Sequence, residues 1–153
     1  MKVIGLSAVA MLSLLLGFTA SASAEEKSAV SAQAQTPDRH QVWMQHRAKT
    51  WNSDHRTWVQ RGGYQGVRVP DDQFTLNFGD EHPFRINSLP YRMVNNEANF
   101  QYNGYWMSLV DPWPETWADG WYDNDDVYVR YDNGYYLHNR RYPDAALSLQ
   151  FSK

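Results

Sequence analysis

The apolar positions of this chain follow three patterns in turn. Val3 to Phe18 is almost unbroken hydrocarbon, centred on Leu12, Leu14, Leu15 and Leu16. Lys2 precedes this run and Ala22-Ser23-Ala24 follows it, which is the order of a charged start, a short apolar stretch and a small-residue cleavage site. The pattern predicts a signal peptide over 1–24, because the run is short for a membrane span and small residues follow it directly. Residues 25–36 are small and polar and predict a flexible linker. The remainder, 37–153, is expected to form a single domain.

The second pattern has a helical period. Thr36 can cap a helix, Pro37 suits its first position, and Asp38 complements its positive end. Met44, Ala48, Trp51, His55 and Trp58 follow at steps of four, three, four and three, one face of a helix. Gly62-Gly63 supplies the stop. An amphipathic helix over 37–61 is the expectation, docked by its tryptophan face.

From Tyr64 onward the period shortens towards two. The stretch 70–79 reads both ways: Phe74, Leu76 and Phe78 alternate as in a strand, while Phe74 and Phe78 also sit four apart between acids and Gly79, as in a short helix. Phe84-Arg85-Ile86 reads as a short strand. Asn103-Gly104 is the favoured two-residue hairpin turn, since both of its positions need positive φ. Folding there pairs Tyr102 with Tyr105, Phe100 with Met107 and Ala98 with Leu109 on one face, leaving Asn99, Gln101, Trp106 and Ser108 on the other. A three-residue loop at Asp132-Asn133-Gly134, with Gly134 left-handed, pairs Tyr131 with Tyr135 and Val129 with Leu137. It places Tyr128, Arg130, Tyr136 and His138 on the opposite face. Ala145, Leu147, Leu149 and Phe151 alternate in a final strand. The predicted fold is α+β, with an N-terminal amphipathic helix packed on a small antiparallel sheet of about five strands.

Composition narrows the function classes. The 14 Lys and Arg stand against 17 Asp and Glu, and cleavage before Glu25 removes only Lys2 from the charged set. The basic surplus that marks nucleic-acid binders is absent. There is no cysteine, hence no disulfide framework and no lipid attachment at the cleavage site. The mature chain is therefore expected to be soluble, periplasmic or secreted, without stable membrane insertion. Aromatic residues make up 15% of the chain, which demands either a ring-filled core or ring-lined surfaces.

Between the hairpins, 111–126 carries three Trp, one Tyr and six acids, with Pro112 and Pro114 barring a central strand. It reads as a compact loop or a short helix at 114–119. Trp106, Trp113, Trp117 and Trp121 with Asp111 and Glu115 form the candidate ligand site. Rings stack on the apolar faces of sugars while carboxylates take hydroxyls, and large aromatics also anchor protein partners. The spacing of four between Trp113, Trp117 and Trp121 equally suits one helical face folded inward as a lid. Asp123, Asp125 and Asp126, with His138, are the candidate metal ligands. The calcium-loop pattern fails, because Val127 and Val129 occupy ligand positions and no glycine stands at position six. Of the five histidines no two are spaced as a helical metal pair; His55 reads as packed and His138 as exposed. No nucleophile elbow, His-Glu-x-x-His or phosphate loop is present, and no cofactor is implied.

Several strings occur together: Trp58-Val59-Gln60-Arg61-Gly62-Gly63-Tyr64-Gln65-Gly66, His82-Pro83-Phe84-Arg85-Ile86, Phe100-Gln101-Tyr102-Asn103-Gly104-Tyr105-Trp106, Val110-Asp111-Pro112-Trp113-Pro114-Glu115 and Gly134-Tyr135-Tyr136-Leu137. Through them the chain resembles a group of short exported bacterial proteins without an assigned activity, over residues 50 to 150. That resemblance implies export and domain extent. In size, export and tyrosine-rich strands the chain also resembles small periplasmic proteins of nickel and cobalt homeostasis, but no metal motif matches and no function carries over. The functional expectation is an exported, non-catalytic binding or structural module of the cell envelope that takes a cell-wall glycan or an envelope protein on exposed aromatics. The alternatives are a periplasmic metal-binding protein and a small hydrolase using carboxylates such as Glu115 and Asp123.

Overall fold

A computed structural model describes residues 38–153 of the chain. The predicted leader over 1–24, the predicted linker over 25–36 and Pro37 lie outside the described residues.

Two short helices stand where the periodicity predicts a single one. Helix α1 spans Arg39–Gln45 and helix α2 spans Trp51–Asp54. Asp38 caps α1, its carboxylate accepting from the His40 backbone N–H at 3.1 Å. The chain leaves α1 at His46 because a different segment offers its backbone better partners. Trp113 N–H donates to the His46 carbonyl at 2.8 Å and Ala48 N–H to the Trp113 carbonyl at 2.7 Å, a short parallel bridge. The Asp54 carboxylate then accepts from the backbone N–H groups of Lys49 and Thr50, at 2.8 and 3.3 Å, and fixes the break. The stripe of apolar positions is therefore not one face. Ala48 and Trp58 are buried, whereas Trp51 and His55 are half-buried beside a cleft. Residues 58–63 close a turn, with Gly62 and Gly63 at φ 88° and 99°.

Helix α3, Asp71–Asn77, settles the ambiguous stretch in favour of a helix. Asp71 and Asp72 lie in its first turn, where they complement the helix dipole. Phe74 and Phe78 stack at 5.4 Å, and Leu76 is 66% exposed on the far side. The predicted strand at 84–86 is not formed. Phe84 makes a single antiparallel bridge to Val127, and Ile86–Ser88 is a tight helical turn.

Six antiparallel strands build one sheet: β1 Tyr91–Val94, β2 Glu97–Tyr102, β3 Tyr105–Leu109, β4 Val127–Tyr131, β5 Tyr135–Asn139 and β6 Tyr142–Ser152. A short helix α4, Trp121–Asn124, precedes β4. The spatial order is β1-β2-β3-β6-β5-β4. The long strand β6 joins the two hairpins, pairing β3 through Leu149–Ser152 and β5 through Tyr142–Leu149. The strand beyond the expected five is β1, turned into β2 by Asn95 and Asn96 at φ 52° and 64°. Asparagine tolerates that left-handed region, so the pair serves where Asn-Gly would be ideal.

Both predicted hairpin registers are present. Tyr102 pairs with Tyr105 and Phe100 with Met107; Tyr131 pairs with Tyr135 and Val129 with Leu137. In the second loop the left-handed residue is Asn133, at φ 53°, rather than Gly134, at φ 151°. Gly134 is required for another reason as well: a Cβ there would lie 2.2 Å from Cδ1 of Trp58.

Phe100, Met107, Phe151, Leu149, Leu147, Leu137, Val129 and Val127 line the core face of the sheet, all fully buried. Trp43, Trp113, Trp117 and Trp121 belong to the same apolar cluster. A buried ring removes about 200 Å² from water, of order 5 kcal/mol each at about 25 cal/mol per Å². The second face carries Tyr128, Arg130, Tyr136, His138, Ala146 and Ser148 in two adjoining rows. The outer margin of β4 is closed by backbone bonds from Phe84 to Val127 at 2.8 and 2.9 Å and from Gly79 to Val129 at 3.1 Å.

Candidate functional site

The 111–126 segment folds inward. Trp113, Trp117 and Trp121 are each 1% exposed or less, so their ring faces are packing surface rather than ligand platform. The segment is a loop until α4, and the helix predicted at 114–119 is not formed. Trp113 Nε1 donates to the Trp43 carbonyl at 2.7 Å. Trp117 and Trp121 meet edge to face at 4.8 Å, and Trp43 and Trp121 at 5.6 Å. The reason is the Arg47–Trp113 bridge, which draws the loop against α1 and turns its rings into the core. Trp106 is half-buried on the second face, under the Arg92 guanidinium at 3.8 Å. The Glu115 carboxylate accepts from the Trp51 backbone N–H at 3.0 Å.

Asp111 is the polar centre that the loop supplies. Its side chain has no exposure, and three donors converge on it: His55 Nδ1 at 2.9 Å, the Ser148 backbone N–H at 2.8 Å, and the Arg61 guanidinium. Burial pushes the Asp111 carboxyl up, but hydrogen bonds from His55 and Ser148 outweigh it and hold the group below the usual carboxylate range. The His55 ring lies flat on Trp51, centroids 4.1 Å apart.

The predicted metal ligands do not converge. Asp125 is buried and accepts from Asn139 Nδ2 at 2.9 Å. Asp126 pairs with Arg85 at 2.8 Å. Asp123 lies in α4, and His138 stacks on Tyr128 at 5.2 Å. Among the described residues no group of three or more His, Asp or Glu side chains is placed to hold a metal ion.

A concavity lies on the second face of the sheet. It has a volume of about 520 Å³. Arg130, Tyr136, His138 and Ala146 contribute from the sheet, Trp51, His55, Thr57 and Val59 from the 51–59 segment, and Tyr131, Asp132, Asn133 and Asp144 complete the lining. The 55–58 segment is fastened across this face by Trp58 N–H donating to the Tyr136 hydroxyl at 2.8 Å and by Ser148 Oγ donating to the Arg56 carbonyl at 3.2 Å. The Tyr136 hydroxyl spends acceptor capacity on Trp58 and keeps its own proton to donate. Burial raises its pKa, so that proton is retained. Arg130 is already paired with Asp80. Asp132 and Asp144 are exposed and make no ion pair among the described residues. Burial, then the charge of Arg130, lowers the His138 pKa.

The sequence signal for this cleft is the alternation in 127–138, which puts Tyr128, Arg130, Tyr136 and His138 on the face away from the core. The contribution of Trp51, His55 and Thr57 has no such signal, because it depends on the break at 46–50. No helix among the described residues is long and apolar enough to cross a membrane. Comparisons with protein-family models, with curated proteins and with solved structures find no match for this chain.

Proposed function

We propose that this chain is an exported binding module of the cell envelope that takes a glycan in the cleft of about 520 Å³ on the second sheet face. One observation carries the reading: the lining combines the rings of Trp51, Tyr131 and Tyr136 with the hydroxyl-binding groups of Asp132, Asn133 and Asp144. A sugar presents apolar C–H faces and a rim of hydroxyls, and a small number of polar groups among rings is what such a ligand needs. The platform is therefore this cleft, not the tryptophans of 111–126. Export rests on the leader pattern over 1–24, and the resemblance to short exported bacterial proteins agrees with it.

Calorimetry with cello-, xylo- and chito-oligosaccharides tests the reading, comparing the wild type with Trp51→Ala and Asp144→Asn. At least one series should bind, and each substitution should weaken it by about tenfold, the equivalent of about 1.4 kcal/mol. Flat traces with all three series, or binding untouched by both substitutions, would refute the assignment.

A further inference from the structure

We infer that His55, oriented by Asp111, is a general base that hydrolyses an O-acyl ester carried by the ligand in this cleft. The inference rests on the cleft being a ligand site. Its own support is the state of the His55 ring. Nδ1 is engaged by the unexposed Asp111 carboxylate at 2.9 Å. A carboxylate can only accept, so Nδ1 carries the hydrogen and the lone pair of the neutral ring is on Nε2. Among the described residues Nε2 has no hydrogen-bond partner and is not one of the buried side-chain atoms left unpaired, and the ring lines the cleft. Stacking on Trp51 holds the ring plane. Ser148 and Arg61 hold Asp111 in place, independent of His55. A base fixed by a buried third group and open to a ligand cleft is the arrangement general-base catalysis requires.

The step balances without a further reactant except water. A water molecule at Nε2 gives its proton to the ring as its oxygen bonds to the ester carbonyl carbon. The carbonyl π pair moves onto oxygen, and the Tyr136 hydroxyl, which lines the same cleft with its proton free, donates to that oxyanion. When the intermediate collapses the bond to the alcohol oxygen breaks, and the imidazolium returns its proton to the departing alkoxide. A carboxylic acid and a free hydroxyl are formed, and His55 is neutral again. Asp111 is a positioning residue in this scheme.

The test uses p-nitrophenyl acetate and acetylated xylo-oligosaccharides with the wild type, His55→Asn and His82→Gln. Asparagine retains a donor for Asp111 and removes Nε2; His82, half-buried, is not in the cleft lining and serves as the control imidazole. His55→Asn should lose about 10²-fold, the lower range for a general base, and His82→Gln should lose nothing. His55→Ala should regain rate on adding imidazole, a response that a purely structural histidine would not give. Hydrolysis by His55→Asn at the wild-type rate, or a wild-type rate no higher than that of equimolar imidazole, would overturn the inference. Oligosaccharide binding by a chain that releases no acetate would end it while leaving the glycan reading in place. His55-dependent hydrolysis of p-nitrophenyl acetate without oligosaccharide binding would do the reverse.

Discussion

Replacing Asp111 by alanine should destabilise the domain by about 3–5 kcal/mol, the range for removing one partner of a buried ion pair. The carboxylate has no exposure and satisfies three donors. Alanine strands the Ser148 N–H on the central strand, at a cost of about 1–3 kcal/mol. It also leaves Arg61, 17% exposed, without its partner; partial access to water keeps that second cost below the full burial penalty. At about 4 °C per kcal/mol for a domain of this size, Tm should fall by about 12–20 °C. Asp111→Asn should lie between, because the amide keeps an acceptor but turns an NH₂ towards donors. Urea unfolding followed by far-ultraviolet circular dichroism gives the free energies. The effect is also pH-dependent. The folded carboxyl has a depressed pKa, so the unfolded chain takes up the proton first as pH falls. The stability it contributes is complete above about pH 4 and is lost as pH drops through the lower folded value. That acid limb should flatten in Asp111→Ala. A loss below about 1 kcal/mol for the alanine variant would refute the reasoning, since the three donors would then be finding water at little cost.

Gly134→Ala should cost about 1–3 kcal/mol, since the new Cβ meets the Trp58 indole at 2.2 Å on a positive-φ backbone; Gly104→Ala, with nothing within 4 Å, should cost less in the same denaturation assay. Trp113→Phe should lose about 1 kcal/mol more than Trp121→Phe, because of the two Trp113 alone has a hydrogen bond from its indole nitrogen among the described residues; equal losses would count against that account. The His138 ring should titrate below the ordinary histidine range by NMR, owing to burial and then to Arg130. Arg130→Ala should move it upward, and an unmoved titration would remove Arg130 as a cause.

What was readable in the sequence was whatever a local rule could decide. Asn103-Gly104 and the three-residue loop at 132–134 set their registers through the conformations those residues permit, and both pairings are found. The inward face of β6 follows from alternation alone. Strand β1 escaped because four residues between Pro90 and Asn95 are too few for a period to show. The 37–61 helix was expected because five positions matched its stripe. The match is broken by Trp113, some 65 residues on, which competes for the backbone of 46–48. The same long-range event decided the site. It carried the 111–126 tryptophans into the core and brought Trp51 and His55 to a cleft whose other half lies on β4–β6. Periodicity carries no information about such a contact between distant segments.

The closed margin of β4 has a consequence for the behaviour of the molecule at high concentration. A sheet ending in bare N–H and C=O groups is a template on which another chain can lay a strand. Phe84 and Gly79 occupy those groups on β4, so addition from that side would first have to peel away the preceding loop. The opposite end of the sheet is β1, four residues long with Arg92 among them, and brevity and charge there are the devices that discourage lateral growth into fibres.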